Sequence, residues 1–416
     1  MVSEKTIATI KATVPLLQTG GEALTQHFYK RMFSHNPEVL TLFNPAHQAT
    51  GHQQKALAGA ICAYAANIDN LEALGSAVEL IAQKHVSLRI KPEHYPIVGE
   101  NLLASIKEVL GDVATPEVLD AWGQAYDFLA DILIKREATI YSEQLNAEGG
   151  WEDFKKFKVI KKEKESDVIT SFYFKPEDGG SVPTFKPGQY ITVRVPTANG
   201  STTMRNYSLS NKPGSDYFRI SVKREDGSVE GTPSGYVSNL LHNSIDVGDV
   251  VELAPPCGEF FIDPAEKSER PLVLLAAGVG ITPILSMLLA VTEANPDRKT
   301  YFIHANLHEL RHAFGKTIDE LAKATPNLKV HYCYSDPVPD GVERILSKEI
   351  STGFVDGPLL ESVVGGFDAD YYFCGPSPFM TEIIRELHNR RVPESQIHFE
   401  FFGPREELEA IKQAAQ

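Results

Sequence analysis

Cysteine is scarce: Cys62, Cys257, Cys333 and Cys374 are the only four in 416 residues, widely scattered and without a CxxC pair. That pattern excludes a disulfide framework and fits a reducing compartment. An excess of positive charge is also missing. Lys+Arg number 40 against 55 Asp+Glu, a formal net charge of −15, so no nucleic-acid surface is expected. Internal repeats and low-complexity tracts are absent, which sets aside repeat architectures. Pro271–Val291 carries no charged residue, yet Gly278, Gly280 and Pro283 interrupt it. It reads as a buried strand, a glycine turn and a helix start rather than a membrane span. The opening Met1–Thr6 lacks the apolar stretch of a signal peptide. A cytoplasmic protein with no stable membrane insertion is expected.

What the chain does contain is ordinary in amount, 42% hydrophobic and 23% charged, but divided in pattern. Its length predicts about two to four domains. Residues 1–146 show helical periodicity, as in Ile7, Ile10, Val14 and Leu17, then Leu24, Phe28 and Met32. A third stripe runs Gln53, Leu57, Ile61, Tyr64 and Ile68, and a fourth Leu74, Val78, Ile81, His85 and Leu88. Thr115-Pro116 is a cap and first turn for a last helix through Leu133 and Ile140, giving six or seven helices in all. After the link Asn146–Gly150 the period changes. Residues 154–162, 168–175, 188–195, 205–210, 217–224 and 249–254 read as short strands of an antiparallel barrel spanning 151–263. The lysine-rich stretch Lys155–Lys162 reads as a solvated edge strand, and Asp226–Ser234 as an exposed loop. From 270 to 416 strands and helices alternate, predicting an α/β domain on a parallel sheet.

Chemistry-bearing residues fall in each part. His85 lies on an apolar helical stripe, so its ring faces the core. Glu137 interrupts the buried stripe of the last helix, and a buried carboxylate needs a partner. Tyr95 follows the Pro92 break. A histidine, a tyrosine and a carboxylate on three segments make an oriented metal ligand, with Glu137 and Tyr95 accepting from or orienting His85. Such an imidazole is more anionic and pushes electron density onto a bound iron. Facing it, Tyr29 supplies a hydroxyl with Gln53 assisting, while Leu57 and Phe43 supply apolar walls. His52 lies off the Leu57 stripe and reads as a surface histidine.

In Arg205-Asn206-Tyr207-Ser208 the guanidinium suits a pyrophosphate, the tyrosine a flavin ring and the hydroxyl its redox nitrogen. Gly235-Tyr236-Val237-Ser238 opens a helix whose first N–H groups form an anion cradle. Gly278-Val279-Gly280-Ile281-Thr282-Pro283 follows an apolar strand and precedes a helix, the setting of a phosphate-cradling turn, with proline where GxGxxG has glycine.

Together these motifs, with His27-Phe28-Tyr29, Gln83-Lys84-His85, Lys91–Tyr95 and Arg136-Glu137, resemble the flavohemoglobins, or nitric oxide dioxygenases, over essentially the whole chain. The resemblance implies a heme-binding globin, an FAD barrel and an NAD(P)H domain, with heme b, FAD and NADH or NADPH as cofactors. It implies that His85 ligates iron, that Lys84 stands near the heme–flavin junction, and that Tyr190 contacts FAD. It further implies that Cys374-Gly375-Pro376 borders the nicotinamide and that Glu400-Phe401-Phe402-Gly403-Pro404 covers the flavin, with Phe402 stacking on it. Phe401 stands where many relatives carry a smaller residue, which leaves open how the nicotinamide mouth is gated. The implied activity is oxidation of NO by O2 to nitrate, detoxifying NO, in a monomer with lipid as a further guest of the gas-side pocket. Two alternatives stay open: a reductase for peroxides or other acceptors, and a sensor of O2 or NO.

Overall fold

The computed structural model describes residues 2–43, 51–70, 74–227, 234–336, 349–403 and 411. The chain divides into two compact units: Asn146 closes the main part of the first, which also counts Val195–Met204, and Ala147–Arg194 and Arg205–Gly403 make the second.

The main part of the first unit is helical. Helix α1, Glu4–His35, begins where the Thr6 N–H donates to the Ser3 hydroxyl at 3.1 Å, and runs unbroken through Pro15. The two stripes at its ends therefore belong to one helix. Helices α2 (His52–Ala66), α3 (Gly75–Ser87), α4 (His94–Leu110) and α5 (Pro116–Asn146) follow. Among the described residues this makes five α-helices, with 3-10 turns at Pro37–Leu42 and Gly111–Val113. The start of α5 is as expected: Thr115 receives the Leu119 N–H on its carbonyl and the Val118 N–H on its hydroxyl. Ile10, Leu24, Phe28, Ile106 and Trp122 join one core, each worth about 1.5–3 kcal/mol of burial.

The second unit carries two sheets. The first holds β1 (Lys155–Lys164), β2 (Ile169–Pro176), β3 (Tyr190–Pro196), β4 (Thr202–Ser208), β5 (Phe218–Lys223) and β6 (Val250–Leu253), in the order β4-β3-β6-β1-β2-β5. Strand β1 pairs antiparallel with β2 and β6, as do β2 with β5 and β3 with β6, and a bridge from Leu209 to Ile220 draws the two edges together. The lysine-rich β1 is thus an interior strand, not an edge. It pairs β2 on one side and β6 on the other, buries Phe157 and Val159, and turns lysines outward. Helix α6, Tyr236–Ser244, lies against this sheet after Gly235. Of the expected loop 226–234, residues 228–233 lie outside the described residues.

The second sheet is parallel, ordered β10-β9-β8-β7-β11-β12. Its strands are β7 (Leu272–Ala277), β8 (Thr300–Asn306), β9 (Leu328–Tyr334), β10 (Ile350–Thr352), β11 (Asp370–Cys374) and β12 (Ile397–Glu400). Helices α7 (Ile281–Ala294), α8 (Gly315–Ala324), α9 (Gly357–Val364) and α10 (Ser377–Asn389) complete it, with separate apolar clusters on the two faces. Helix α7 begins at Ile281, two residues before the expected Pro283, because proline in a first turn gives up no intrahelical bond. The amino ends of β7 and β11 are tied by Asp370, which accepts from Arg298 at 2.6 Å and Arg270 at 2.9 Å. That leaves the carboxyl ends, where open α/β sheets bind ligands, to carry the site.

Candidate functional site

In the helical unit, α1, α2, α3, α4 and α5 enclose a cavity of about 480 Å³ with an almost wholly apolar lining. Phe28, Phe43, Leu57, Ile81 and Leu133 form part of its wall, and His85, Lys84, Tyr95, Tyr29 and Gln53 border it. Tyr29 is buried, its ring 5.7 Å from that of Phe43. His85 Nδ1 donates to Glu137 Oε1 at 2.8 Å, and the Tyr95 hydroxyl donates to the same oxygen at 2.6 Å. Tyr95 also lies 3.1 Å from Nδ1. Both donate to one carboxylate, and the phenol oxygen, its own hydrogen given to Glu137, can share the imidazole N–H. Glu137 is only 2% exposed, so the two hydrogen bonds replace the water it gave up. Burial, then the hydrogen bond to Glu137, holds the Tyr95 phenol far above its ordinary range. With its proton on Nδ1, His85 keeps the Nε2 lone pair for a metal. An apolar slot bordered by the Nε2 lone pair of His85 suits a flat, hydrophobic, iron-bearing macrocycle, and heme fits this donor set.

The flavin motif ends β4. Arg205 is half-buried, and burial lowers its pKa, so an anion beside it is favoured. Burial likewise lifts the Tyr207 phenol. Asn206 accepts from the Thr192 hydroxyl at 2.9 Å, and Ser208 is buried. Tyr190 bonds reciprocally with the Cys257 backbone at 2.9 Å, and its ring lies against Gly258, where a Cβ would stand 3.0 Å from it. Gly258 has φ +119, so glycine is required there twice over. At the start of α6 the Ser238 hydroxyl accepts from the Glu225 N–H and donates to the Gly235 carbonyl. It braces the turn, leaving anion binding to the backbone N–H groups of Val237 and Ser238, which have no intrahelical acceptor. These features fit a pyrophosphate-bearing flavin.

The glycine turn Gly278–Gly280 joins β7 to α7, with Gly278 at φ +54. A Cβ on Gly280 would fall on the Cys374 carbonyl, so this turn and Cys374-Gly375-Pro376 are in direct contact. The Thr282 hydroxyl donates to Val279 O at 3.0 Å. Cys374 is fully buried, and burial, then the Glu400 charge, pushes its thiol well up. Glu400 pairs with Cys374 in register, so the carboxyl ends of β7, β11 and β12 lie side by side. Phe401 packs on the core beneath α10, and Phe402 is 50% exposed beside Gly403. Pro404 lies outside the described residues, as does the side chain of His52. Apposed backbones at one sheet edge, opening a helix at Ile281, fit a nucleotide phosphate.

Sequence reasoning missed several residues that shape these sites. Tyr126 donates to the Tyr95 carbonyl at 2.6 Å, and its ring fills the space a side chain at Gly99 would need. Glu79 on α3 is held by Arg136 through two bonds of 2.6 and 2.9 Å, beside the His85–Glu137 link. Glu225 receives the Gly235 N–H and lies near Tyr207. None of the three carries a motif; only the folded contacts reveal them.

Residues 26–133 match the Globin family, 156–262 the oxidoreductase FAD-binding domain and 274–385 the oxidoreductase NAD-binding domain. A "Flavohemoprotein" of Rhodopirellula baltica is 51% identical over 411 residues, 99% of this chain and 100% of that one. The solved flavohemoglobin of Malassezia yamatoensis, with bound FAD and heme, superposes with a TM-score of 0.83 at 27% identity, covering 97% of this chain and all of the other. The flavohem-like FAD/NAD-binding domain of nitric oxide dioxygenase from Vibrio cholerae is 33% identical, covers 61% of this chain and all of its own, and gives a TM-score of 0.54. Among the described residues no helix is long and apolar enough to cross a membrane. With identity and coverage of this extent joined to globin, FAD-binding and NAD-binding modules in one polypeptide, the chain belongs to the flavohemoproteins, oxidoreductases that use a nicotinamide nucleotide.

Proposed function

We propose that this flavohemoprotein is an NAD(P)H-dependent nitric oxide dioxygenase that turns NO and O2 into nitrate. The observation that carries the reading is the buried carboxylate of Glu137, held 2.8 Å from Nδ1 of the cavity-lining His85. Simple gas storage does not call for so anionic a ligand; oxygen activation does. The Vibrio cholerae reductase domain, one-third identical, belongs to an enzyme of that name. Bound heme would supply redox-active iron, and bound FAD would convert a nicotinamide hydride into single electrons.

The chain's own residues supply placement. His85 would ligate through Nε2, with Phe43 and Leu57 against the macrocycle. Tyr29 and Gln53 would orient a small polar ligand in an otherwise apolar cavity, and the walls around them exclude water. Arg205, Asn206, Val237 and Ser238 would hold the flavin pyrophosphate, with Tyr190, Tyr207 and Ser208 along its ring. Gly278–Pro283 would cradle the nucleotide, bordered by Cys374–Pro376, while Glu400–Gly403 cover the flavin and Lys84 serves the heme–flavin path. In this reading 1–146, 151–263 and 270–416 are the heme, flavin and nucleotide domains of a monomer. The test is NADH or NADPH oxidation in air before and after adding NO. A sharp rise with nitrate as product is expected, and an unchanged rate would refute the reading.

A further inference from the structure

Lys162 on β1 is held back from solvent: its side chain is 21% exposed, against 53% for Lys161 and 70% for Lys164 nearby. Its ammonium donates to the His242 carbonyl at 2.9 Å, the Ile245 carbonyl at 2.7 Å and the Asp246 carboxylate at 3.0 Å. An ammonium has donors only, so the direction of all three bonds is fixed. The Phe172 ring on β2 lies 5.5 Å from the same nitrogen.

All three acceptors stand at the carboxyl end of α6. With nine residues, α6 is too short to hold its shape in water without tertiary anchors. The last carbonyls of a helix have no intrahelical donor, and α6 carries no lysine or arginine of its own. Lys162 supplies both the donor and the positive charge that this end of the helix dipole favours. A second anchor is His242. Its Nε2 lies 2.8 Å from the Val222 carbonyl on β5, and since a carbonyl only accepts, Nε2 carries the hydrogen. Its ring also stands edge-on to Phe172, centroids 6.2 Å apart.

The amino end of the same helix stands beside the flavin motif. The Glu225 carbonyl accepts the Gly235 N–H at 2.9 Å, and the Glu225 N–H donates to the Ser238 hydroxyl at 3.3 Å. Burial comes first among the causes that raise the Tyr207 phenol, and the Glu225 charge adds to it. Glu225 thus joins the start of α6 to Arg205–Ser208, and all of these residues lie in the FAD-binding domain.

We infer that Lys162 and His242 are positioning residues for FAD: they anchor the carboxyl end of α6 on the barrel so that its amino end meets the flavin pyrophosphate. Nine residues at 1.5 Å each set the two ends of the helix about 13 Å apart, so the Lys162 ammonium acts on the anion only through the helix. The inference rests on the reading of the first N–H groups of α6 as the cradle for that anion.

The test uses the full-length, heme-loaded protein stripped of FAD, with Kd for FAD read from the quenching of flavin fluorescence. Lys162→Met should raise Kd about tenfold and His242→Phe, which keeps the ring volume, about threefold, as expected for bonds lost from a charged and a neutral donor. Lys162→Arg, which can still donate to the carbonyls, should recover most of the loss. Asp246→Asn should stay near wild type, because Asp246 is 78% exposed and such an ion pair is worth little. Wild-type Kd in Lys162→Met overturns the inference. So does a Lys162→Arg variant no better than Lys162→Met, or a loss in Asp246→Asn as large as that in Lys162→Met, which would leave the helix carbonyls without a role. Kd for NAD+ should not move; an equal loss there would mean that Lys162 holds the whole unit together, and the inference fails. If Lys162→Met does not fold, His242→Phe decides: unchanged FAD binding there overturns the anchoring. Tyr236→Glu, placing a negative charge at the amino end of α6, checks the underlying reading separately. If it leaves FAD binding intact, that end is not the cradle and both fall; if it weakens binding while the anchor variants do not, only the anchoring falls.

Discussion

The two units build their sites from different materials. In the helical unit the site is made of side chains: an imidazole from α3 and a phenol from α4 border an apolar cavity and converge on one buried carboxylate from α5. In the reductase unit it is made of backbone: Gly280 approaches the Cys374 and Gly375 backbone so closely that a side chain on it would not fit. Iron needs a specific donor atom, whereas a phosphate needs a concave row of N–H groups. The first site should therefore answer to what a residue carries, and the second to how little room it takes.

The sharpest test of that contrast is His85→Ala, which removes the sole proposed iron ligand. Heme retention and the Soret band should be lost while flavin absorbance stays. Next comes Gly280→Ala. A single methyl forced onto the Cys374 carbonyl should cost about 1–3 kcal/mol, and nucleotide-dependent flavin reduction should fall ten- to a hundredfold. Wild-type flavin reduction in that variant would mean the turn has slack the geometry does not show.

Acid separates the units in a third way. Burial lowers the pKa of His304 to about 4 from an ordinary 6.5, and His312 lies well below 6.5 too. A base whose folded pKa is depressed is unaffected at high pH. As pH falls below 6.5, the unfolded chain takes up protons that the folded chain refuses, and stability drains away until the folded pKa is passed. For His304 the loss between 6.5 and about 4 is on the order of 3 kcal/mol. Thermal melts followed by flavin fluorescence should decline over that window, and His304→Gln should flatten the decline.

A smaller effect is expected of Glu137→Gln, which keeps an acceptor for His85 and Tyr95 but removes the charge. Dioxygenation should slow about tenfold, with O2 affinity changing less. Smallest is Tyr95→Phe. It removes one of the two hydrogen bonds on Glu137, and a two- to fivefold loss of rate is expected, about 1 kcal/mol or less. A Tyr95→Phe effect exceeding that of Glu137→Gln would reverse the roles given to the two residues.

What could be read in the sequence follows the same division. Glu137 stood out because a carboxylate on a buried helical stripe breaks the pattern, and β7 because six apolar residues run into a glycine turn. The place of β1 was not legible. Its outward lysines resemble those of an edge strand, and its second neighbour, β6, lies some ninety residues away in sequence. Strands β10 and β12, of three and four residues, are too short to show a period. The His304–His312 pair was invisible for another reason. Nothing in Phe302–Phe314 says that two of its three histidines are enclosed while His308 belongs to the connecting segment.

Gly188 limits what the reductase unit tolerates. With φ +108, it sits where a methyl group would strike both the Phe260 carbonyl and the tip of Met287, one from the flavin barrel and one from α7. The Ser286 hydroxyl, donating to the Asn211 carbonyl at 2.7 Å, stitches the same seam. A seam without slack leaves no hinge between the surfaces proposed to take hydride donor and acceptor. Their alignment would then be inherited from assembly of the fold, set once when the chain collapses rather than renewed at each turnover.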